Sequence, residues 1–303
     1  MRLGVCLAVF VSYLTHYASA QFTDPRTYTI TAVGTNQLEL GYAYVRGNAS
    51  VDPSLVVPAA RLTLNQGAVT YTRYFGVSHR LTWAEVSIPV AGLSGSIGGT
   101  RIQGSTTGAS DSSYSIAMLL KGGPALDVTQ LETYEAVTTV GASFTVTAPT
   151  GSYDPNVLLN LGTDRWSFKP EIGLSYPFGP DGRWEFDAHA NAYFYTDNLS
   201  YHRREILRQE PLPGIEGHIS YSFLDNLWAS LDTRYSLHAA TSVDGIDQNN
   251  AQRNFILGSE LNLALSAHHS VVLEFAKALA HRNGPALTGF SVRYDFTWES
   301  HRK

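Results

Sequence analysis

Over residues 166–178 the chain alternates without a slip. Trp166, Phe168, Pro170, Ile172, Leu174, Tyr176 and Phe178 fall on one parity, and Ser167, Lys169, Glu171, Gly173, Ser175 and Pro177 on the other. Successive side chains of a strand point to opposite faces, so one face is continuously apolar with aromatics at both ends, and the other is polar and charged. A strand of this pattern suits a bilayer crossing: aromatics at the two headgroup levels, aliphatics against lipid tails, Lys169 and Glu171 toward a wet interior. A long strand of a soluble sandwich would alternate in the same way, and one strand does not separate the two.

The start of the chain favours export. Residues 1–20 carry Arg2, an apolar stretch from Leu3 to Leu14, and small residues Ala18, Ser19 and Ala20 before Gln21, the pattern of a cleavable secretory signal. The one cysteine, Cys6, lies inside this segment, so disulfides are not expected to staple the exported protein. Charged residues make up 16% of the sequence and aromatics 12%, a shift away from the usual soluble composition toward Tyr, Trp and Phe. No apolar run of the mature chain is long enough for a membrane helix. An exported, aromatic-rich, helix-poor chain fits an outer-membrane barrel, because only a closed sheet otherwise satisfies every backbone group in lipid. A net charge of -5 argues against nucleic acid as a partner.

Period-two segments divide the chain into about twelve strands of an antiparallel transmembrane β-barrel. The clearest after the first are residues 184–195, 215–223, 227–237, 255–265 and 290–298, followed by 38–45 and 114–120. Weaker ones are 68–75, 81–90, 136–148 and 271–279. Around Trp83 and Glu85 both parities carry apolar residues, which predicts a bulge. Short connections at 76–79, 179–182, 224–226 and 266–269 alternate with long ones at 48–66, 92–111, 149–164, 197–209 and 239–253, as strands running up and down require. The connection at 121–132 is long for an inner rim, and that at 281–287 short for an outer one. The resulting division is a signal at 1–20, an N-terminal segment at 21–37 in the periplasm or bore, a barrel at 38–298 and a tail at 299–303. The tail either slows recognition by the barrel assembly machinery or hangs in the periplasm.

Several irregular motifs follow in order: Ala148-Pro149-Thr150-Gly151-Ser152-Tyr153-Asp154, Leu159-Asn160-Leu161-Gly162, and the run from Arg165 to Gly173. Beyond them come Trp184, Tyr195-Thr196-Asp197-Asn198, Gln209-Glu210-Pro211, residues 241–248 and the strand from Gly289 to Trp298. With these the chain, over roughly 121–298, resembles the outer-membrane family associated with the meta-cleavage pathway of phenol degradation. The resemblance implies a channel or transporter in the bacterial outer membrane that passes small molecules, aromatic or apolar ones among them, without specifying a cargo.

Function is expected on the polar faces, since lumen residues tune selectivity while lipid-facing ones affect stability. The lumen-lining candidates are Lys169, Glu171, Glu185, Asp187, His189, Glu216, His218, Asp232, Arg234, Glu260, Glu274, Arg293 and Asp295. They either cross-link a filled barrel or border a water path, and their acidic excess predicts cation preference in an open bore. Tyr193 and Tyr195 are candidates for substrate contact, with the interfacial girdle as their other placement. The pair Glu171 with His189 or Asn191 is expected across the turn at 179–182. A barrel enzyme is the rival class, because His218 and Ser220 have the spacing of an outer-membrane phospholipase dyad. Parity turns both to the bore, and no partner Asn or Asp is evident, so no catalytic site is expected. Further rivals are a soluble sandwich and a structural or adhesive surface barrel. His268-His269 reads as a solvated turn, and neither cofactor nor metal is expected. Outer-membrane lipid is the expected surround, and the segment His202-Arg203-Arg204 with Arg208 either grips lipopolysaccharide phosphates through its guanidinium groups or is an ordinary solvated basic loop.

Overall fold

The computed structural model describes residues 23–49, 60–97, 103–157, 159–201, 204–283 and 286–300. The expected signal at 1–20, His202, Arg203 and residues 301–303 of the tail lie outside the described residues. Twelve long strands form one antiparallel sheet that closes on itself. They are β1 (Thr35–Ala49), β2 (Ala60–Val77), β3 (Arg80–Ile97), β5 (Ser112–Lys121), β6 (Thr139–Ala148), β7 (Ser167–Phe178), β8 (Trp184–Tyr195), β11 (Leu212–Leu224), β12 (Leu227–His238), β15 (Gln252–Ser266), β16 (His269–Arg282) and β17 (Ala286–Glu299). Each pairs with its neighbours in sequence, and β1 pairs with β17 from Thr35 opposite Glu299 to Asn48 opposite Ala286. That closure leaves no barrel edge unpaired, as lipid demands, and it overturns a two-sheet sandwich. No helix among the described residues is long and apolar enough to cross a membrane.

Alternation sets the faces as expected. Leu40, Ile88, Ile116, Ile172, Ile215 and Leu231 point outward and are exposed, the arrangement of a lipid-facing band. Aromatic rings ring the rim that carries the tight turns. Tyr176, Phe178, Trp184, Tyr221 and Phe223 stack or tilt in series, as do Tyr71, Trp298 and Phe296. The β2–β3 turn uses Ser78 and His79, both with positive φ (49° and 63°), the backbone a two-residue hairpin requires.

The bulge expected at Trp83 is not there. β2 and β3 pair in unbroken register from Ala60 opposite Ile97 to Val77 opposite Arg80. Apolar residues occupy both parities because Leu81 and Trp83 face the interior and pack, with Ala117 and Leu119, around Tyr28. Register shifts fall instead near Ser222, Ala264, Phe255 and Leu119.

Four connections are more ordered than the sequence suggested. β3 outlasts its expected end and forms a hairpin with β4 (Gln103–Ala109). The residues at 197–209 and 239–253 supply β9 (Asn198–Tyr201), β10 (Glu205–Gln209), β13 (Thr241–Val243) and β14 (Ile246–Asp247), a second four-stranded sheet beside the mouth. The long rim connection at 121–132 contains α1 (Val128–Leu131), which Asp127 starts with a capping box to Gln130. At the tail, Ser300 donates its amide to Gly34 O (3.0 Å) and its hydroxyl accepts from Asn36 Nδ2 (3.0 Å) and Arg73 Nη1 (2.6 Å), so the first residue after β17 is held at the rim.

Candidate functional site

The polar parities of the twelve strands converge on the bore, and much of what lines it among the described residues is buried. Glu171, Asp187, His189, Asn191, Glu216, His218, Asp232, Arg234 and Glu260 are all buried, as are Ser175 and Ser220. Charges this deep persist only when paired, and the pairing comes from the strand register. Glu171 sits opposite Asn191, and Glu216 opposite both His189 and Arg234 on its two neighbours. Of the two partners expected for Glu171, Asn191 is therefore the cross-strand one. Its Nδ2 donates to Glu171 Oε2 (3.0 Å) and to Glu216 Oε1 (2.8 Å), and Arg234 also binds Glu216 Oε1. Lys169 Nζ lies 3.3 Å from Glu171 Oε2, and Ser175 bonds Asp187.

Across the bore Arg293 forms a second hub. Its guanidinium contacts Asp24, Glu39 (3.5 Å), Glu260 (3.4 Å) and Glu274 (2.9 Å), the last two being cross-strand partners. Ser270 donates to Asp295 (3.2 Å). Beside this hub a cavity of about 100 Å³ is lined by Asp24, Pro25, Glu260, Glu274 and small wall residues such as Gly41, Ala43, Ala276 and Gly289.

The chain before β1 supplies the filling. Thr23 donates its amide to Glu216 Oε2 and its hydroxyl to Glu171 Oε2, both at 2.6 Å. The Arg26 amide bonds Asp187 (3.2 Å); its guanidinium bonds Ser220 (2.9 Å) and Ser222 (3.1 Å), pairs with Glu185 (3.6 Å) and lies 4.6 Å over Trp228. Tyr28 is fully buried. Its ring lies where cross-strand partners Gly141 and Gly173 leave the wall bare: a Cβ on either would stand 2.1 Å from a ring carbon. The Tyr28 hydroxyl donates to Glu171 Oε1 (3.0 Å), and Thr139 Oγ1 donates to the Tyr28 carbonyl (2.6 Å). Burial, and the negative Glu171 beside it, push this phenol well above its ordinary range, so it remains a donor. Sequence reasoning missed Thr23, Asp24, Arg26 and Tyr28 as site residues. The usable signal was the glycine on the lumen parity of β7, which leaves room for a large side chain.

Tyr193 and Tyr195 stack with centroids 6.4 Å apart and carry cations on their faces: Lys169 and Arg234 at 5.8 and 5.9 Å from Tyr193, and Arg165 at 4.5 Å from Tyr195. At the mouth, the connection between β6 and β7 reaches over to β3 and β4. Leu159 lies against Gly95 and Gly104, and Leu161 is fully buried. Two motif glycines make the fold-back possible: Gly151 and Gly162 touch backbone to backbone, and Ser152 O accepts the amides of Leu161 (3.1 Å) and Gly162 (2.9 Å). Asp111 ties the turn together through Gly151 N (2.8 Å), Thr163 N (2.9 Å) and Thr163 Oγ1 (2.7 Å).

The dyad residues do face the bore. His218 has a carboxylate partner that the sequence did not reveal, Asp232 at 2.9 Å, while Ser220 accepts from Arg26. Arg208 pairs with Asp197 at 2.9 Å.

The described barrel is similar in fold to the COG4313 outer membrane channel from Pseudomonas putida F1, with a TM-score of 0.80 at 20% identity, covering 91% of this chain and 100% of that one. It is more distantly similar to the beta domain of the Bordetella autotransporter BrkA (TM-score 0.54, 11% identity, 88% of this chain and 100% of that one). The transport unit of the autotransporter AIDA-I from Escherichia coli gives 0.53 at 9% identity, covering 97% and 99%. No curated protein matches the sequence. A family model described as "Putative MetA-pathway of phenol degradation" matches residues 46–294, which extends the likeness into the N-terminal third. With most of its length inside that match and a closed barrel of the bacterial outer membrane as its fold, the chain belongs to this phenol-degradation family.

Proposed function

We propose that the protein is a passive outer-membrane channel for small molecules, aromatic ones among them, and that it conducts when the segment before β1 leaves the bore. One observation carries the reading: the cavity beside Arg293, about 100 Å³, is bordered on one side by Asp24 and Pro25 of that segment. An apolar cavity of about 150 Å³ holds benzene; this one is smaller and is walled by the segment, which makes the segment the candidate closing element. Family membership supplies the aromatic class, and the fold shared with an outer membrane channel supports passage rather than chemistry. Tyr193 and Tyr195 serve as an aromatic step, with Lys169, Arg234 and Arg165 above them to meet a phenolic oxygen. The other lumen candidates set the charge of the path. An enzyme acting on lipid finds no support, because Ser220 is buried on the bore side and engaged by Arg26.

The test is deletion of residues 23–30 from the full chain, with conductance in planar bilayers and uptake of phenol by whole cells as readouts. Both should rise while the barrel still shows heat-modifiable gel mobility. A folded deletion variant with unchanged conductance and uptake would refute the segment as the closing element. In the same assay, unchanged phenol uptake by the Tyr193→Ala, Tyr195→Ala variant would remove the aromatic step.

A further inference from the structure

Among the buried groups of the bore, His189 has no structural explanation. It is 3% exposed, and neither ring nitrogen has a hydrogen-bond partner among the described residues; Nδ1 comes no closer than 3.8 Å to Glu171 Oε1. A buried imidazole without hydrogen-bond partners is costly, and such a group in a native protein calls for an explanation, a bound ion among the candidates. The neighbours are of one chemical kind. Glu216 is the cross-strand partner of His189, and His218 follows two residues along on the same face of β11. One potential ligand atom from each of His189, Glu216 and His218 lies within 4.8 Å of the other two.

From this geometry we propose that His189, Glu216 and His218 form a binding site for a divalent transition-metal ion of the zinc class. Two imidazoles and a carboxylate are the donor set that such ions prefer over the oxygen-rich shells of calcium or magnesium. His218 is already prepared for the role. Its Nδ1 faces Asp232 Oδ1 at 2.9 Å, which holds the proton on that side and turns Nε2 toward Glu216, 3.9 Å from Oε2. A carboxylate behind a histidine ligand in this way fixes the tautomer and raises ligand basicity. Glu216 Oε2 accepts one hydrogen bond, from Thr23, and keeps a second lone pair. The His189 ring is oriented by the edge of Tyr28, centroids 5.4 Å apart. Metal bonds of about 2.0–2.2 Å place tetrahedral donors about 3.5 Å apart, so the three side chains close by about 1 Å on binding. The other carboxylate cluster of the bore, Asp24, Glu260 and Glu274, already holds the Arg293 guanidinium.

The full-length protein, extracted in detergent and stripped of metal with a chelator, is titrated with Co²⁺ and followed by visible absorption. One equivalent should bind with the ligand-field bands of a low-symmetry four- or five-coordinate ion, and one equivalent of Zn²⁺ should bleach them. His189→Ala should abolish binding, and Asp232→Asn should weaken it about ten- to hundredfold. The turn variant His268→Ala, His269→Ala should bind as the native chain does. Failure of the native protein to bind either ion at one equivalent overturns the site without any variant having to fold. Binding that survives His189→Ala, or that vanishes with the turn histidines, overturns it as well.

Discussion

Replacing Tyr28 by alanine isolates the seat of the bore-filling segment. The ring is fully buried against Trp83, His189 and the bare wall at Gly141 and Gly173, so truncation should cost about 3–5 kcal/mol, the range for core aromatics. All of that cost falls on the docked state of the segment, because the barrel strands pair without it. At about 1.4 kcal/mol per decade, the docking equilibrium should shift toward the undocked form by roughly two to three and a half decades. Single-channel recording of the native and Tyr28→Ala proteins measures the shift as open probability, with heat-modifiable mobility as the control for folding. The same seat can be filled from the wall. In Gly173→Val the new Cβ stands 2.1 Å from Tyr28 Cε2, so this variant should also open the channel, whereas in the Tyr28→Ala background valine meets no ring and should add little. Contacting residues couple by about 0.5–3 kcal/mol in such cycles. Open probabilities of Tyr28→Ala matching the native protein, or additive effects in the double variant, would refute the seat.

Other expectations follow from single contacts. Ile172→Arg, at an exposed mid-strand position of the lipid face, should cost about 2–4 kcal/mol by urea unfolding in lipid vesicles; a negligible cost would place that face out of the membrane. Arg293→Met leaves Glu39, Glu260 and Glu274 without their shared cation and should lower stability by about 3–5 kcal/mol, read as the temperature of the gel shift. Cysteines replacing Tyr44 and Phe290, or Tyr42 and Val292, should cross-link, since these are opposed pairs of β1 and β17; failure of both in a folded barrel would contradict the closure. The Thr129 hydroxyl and Gln130 amide hold the Asp127 carboxyl below its ordinary range. The α1 cap is therefore in force above the usual carboxylate pKa and lost as pH falls through the lowered folded value, where the protection of the Gln130 amide, relative to its intrinsic exchange at that pH, should fall.

The strands were legible because lipid imposes period two on one face whatever the other face does, and all twelve segments read from the sequence are barrel strands. The reading failed where the inner face also turned apolar, as at Leu81 and Trp83, since periodicity cannot say that a distant segment covers those residues. That segment, residues 23–34, has no period of its own, and the fit of Tyr28 to two glycines exists only once β6 and β7 are paired. The small sheet beside the mouth was out of reach for another reason. Strands as short as Thr241–Val243 and Ile246–Asp247 carry too few residues for alternation to register. For the site, parity put the charged candidates on the bore side, but packing decided their surroundings. Ser175, on the polar parity of β7, does not face open water but is buried against Asp187, so Ser175→Arg should be as damaging as a lipid-face charge.

Whether such a filled bore can open depends on what its charges would face once the segment has left. A buried ion stripped of its partner costs several kcal/mol, so a plug that supplied the sole counter-charge to each wall residue could not leave. The wall does not depend on it in that way. Glu171 keeps Lys169 and Asn191, Glu216 keeps Arg234 and Asn191, and Asp187 keeps Ser175. Arg293 loses Asp24 but retains Glu39, Glu260 and Glu274. Only Glu185 has its described ion pair with the segment alone, through Arg26, and it stands next to Trp184 at the start of β8, near the rim. The cost of undocking thus concentrates in the Tyr28 seat and the Arg26 and Thr23 hydrogen bonds, a modest set of contacts compared with an ionic core. The segment takes away one charge of each sign, Asp24 and Arg26, so the emptied wall keeps its own excess of carboxylates over Lys169, Arg234 and Arg293. Reversal potentials of the residue 23–30 deletion variant should therefore show cation selectivity that fades as salt screens the bore, and anion selectivity at low salt would refute this account of the open state.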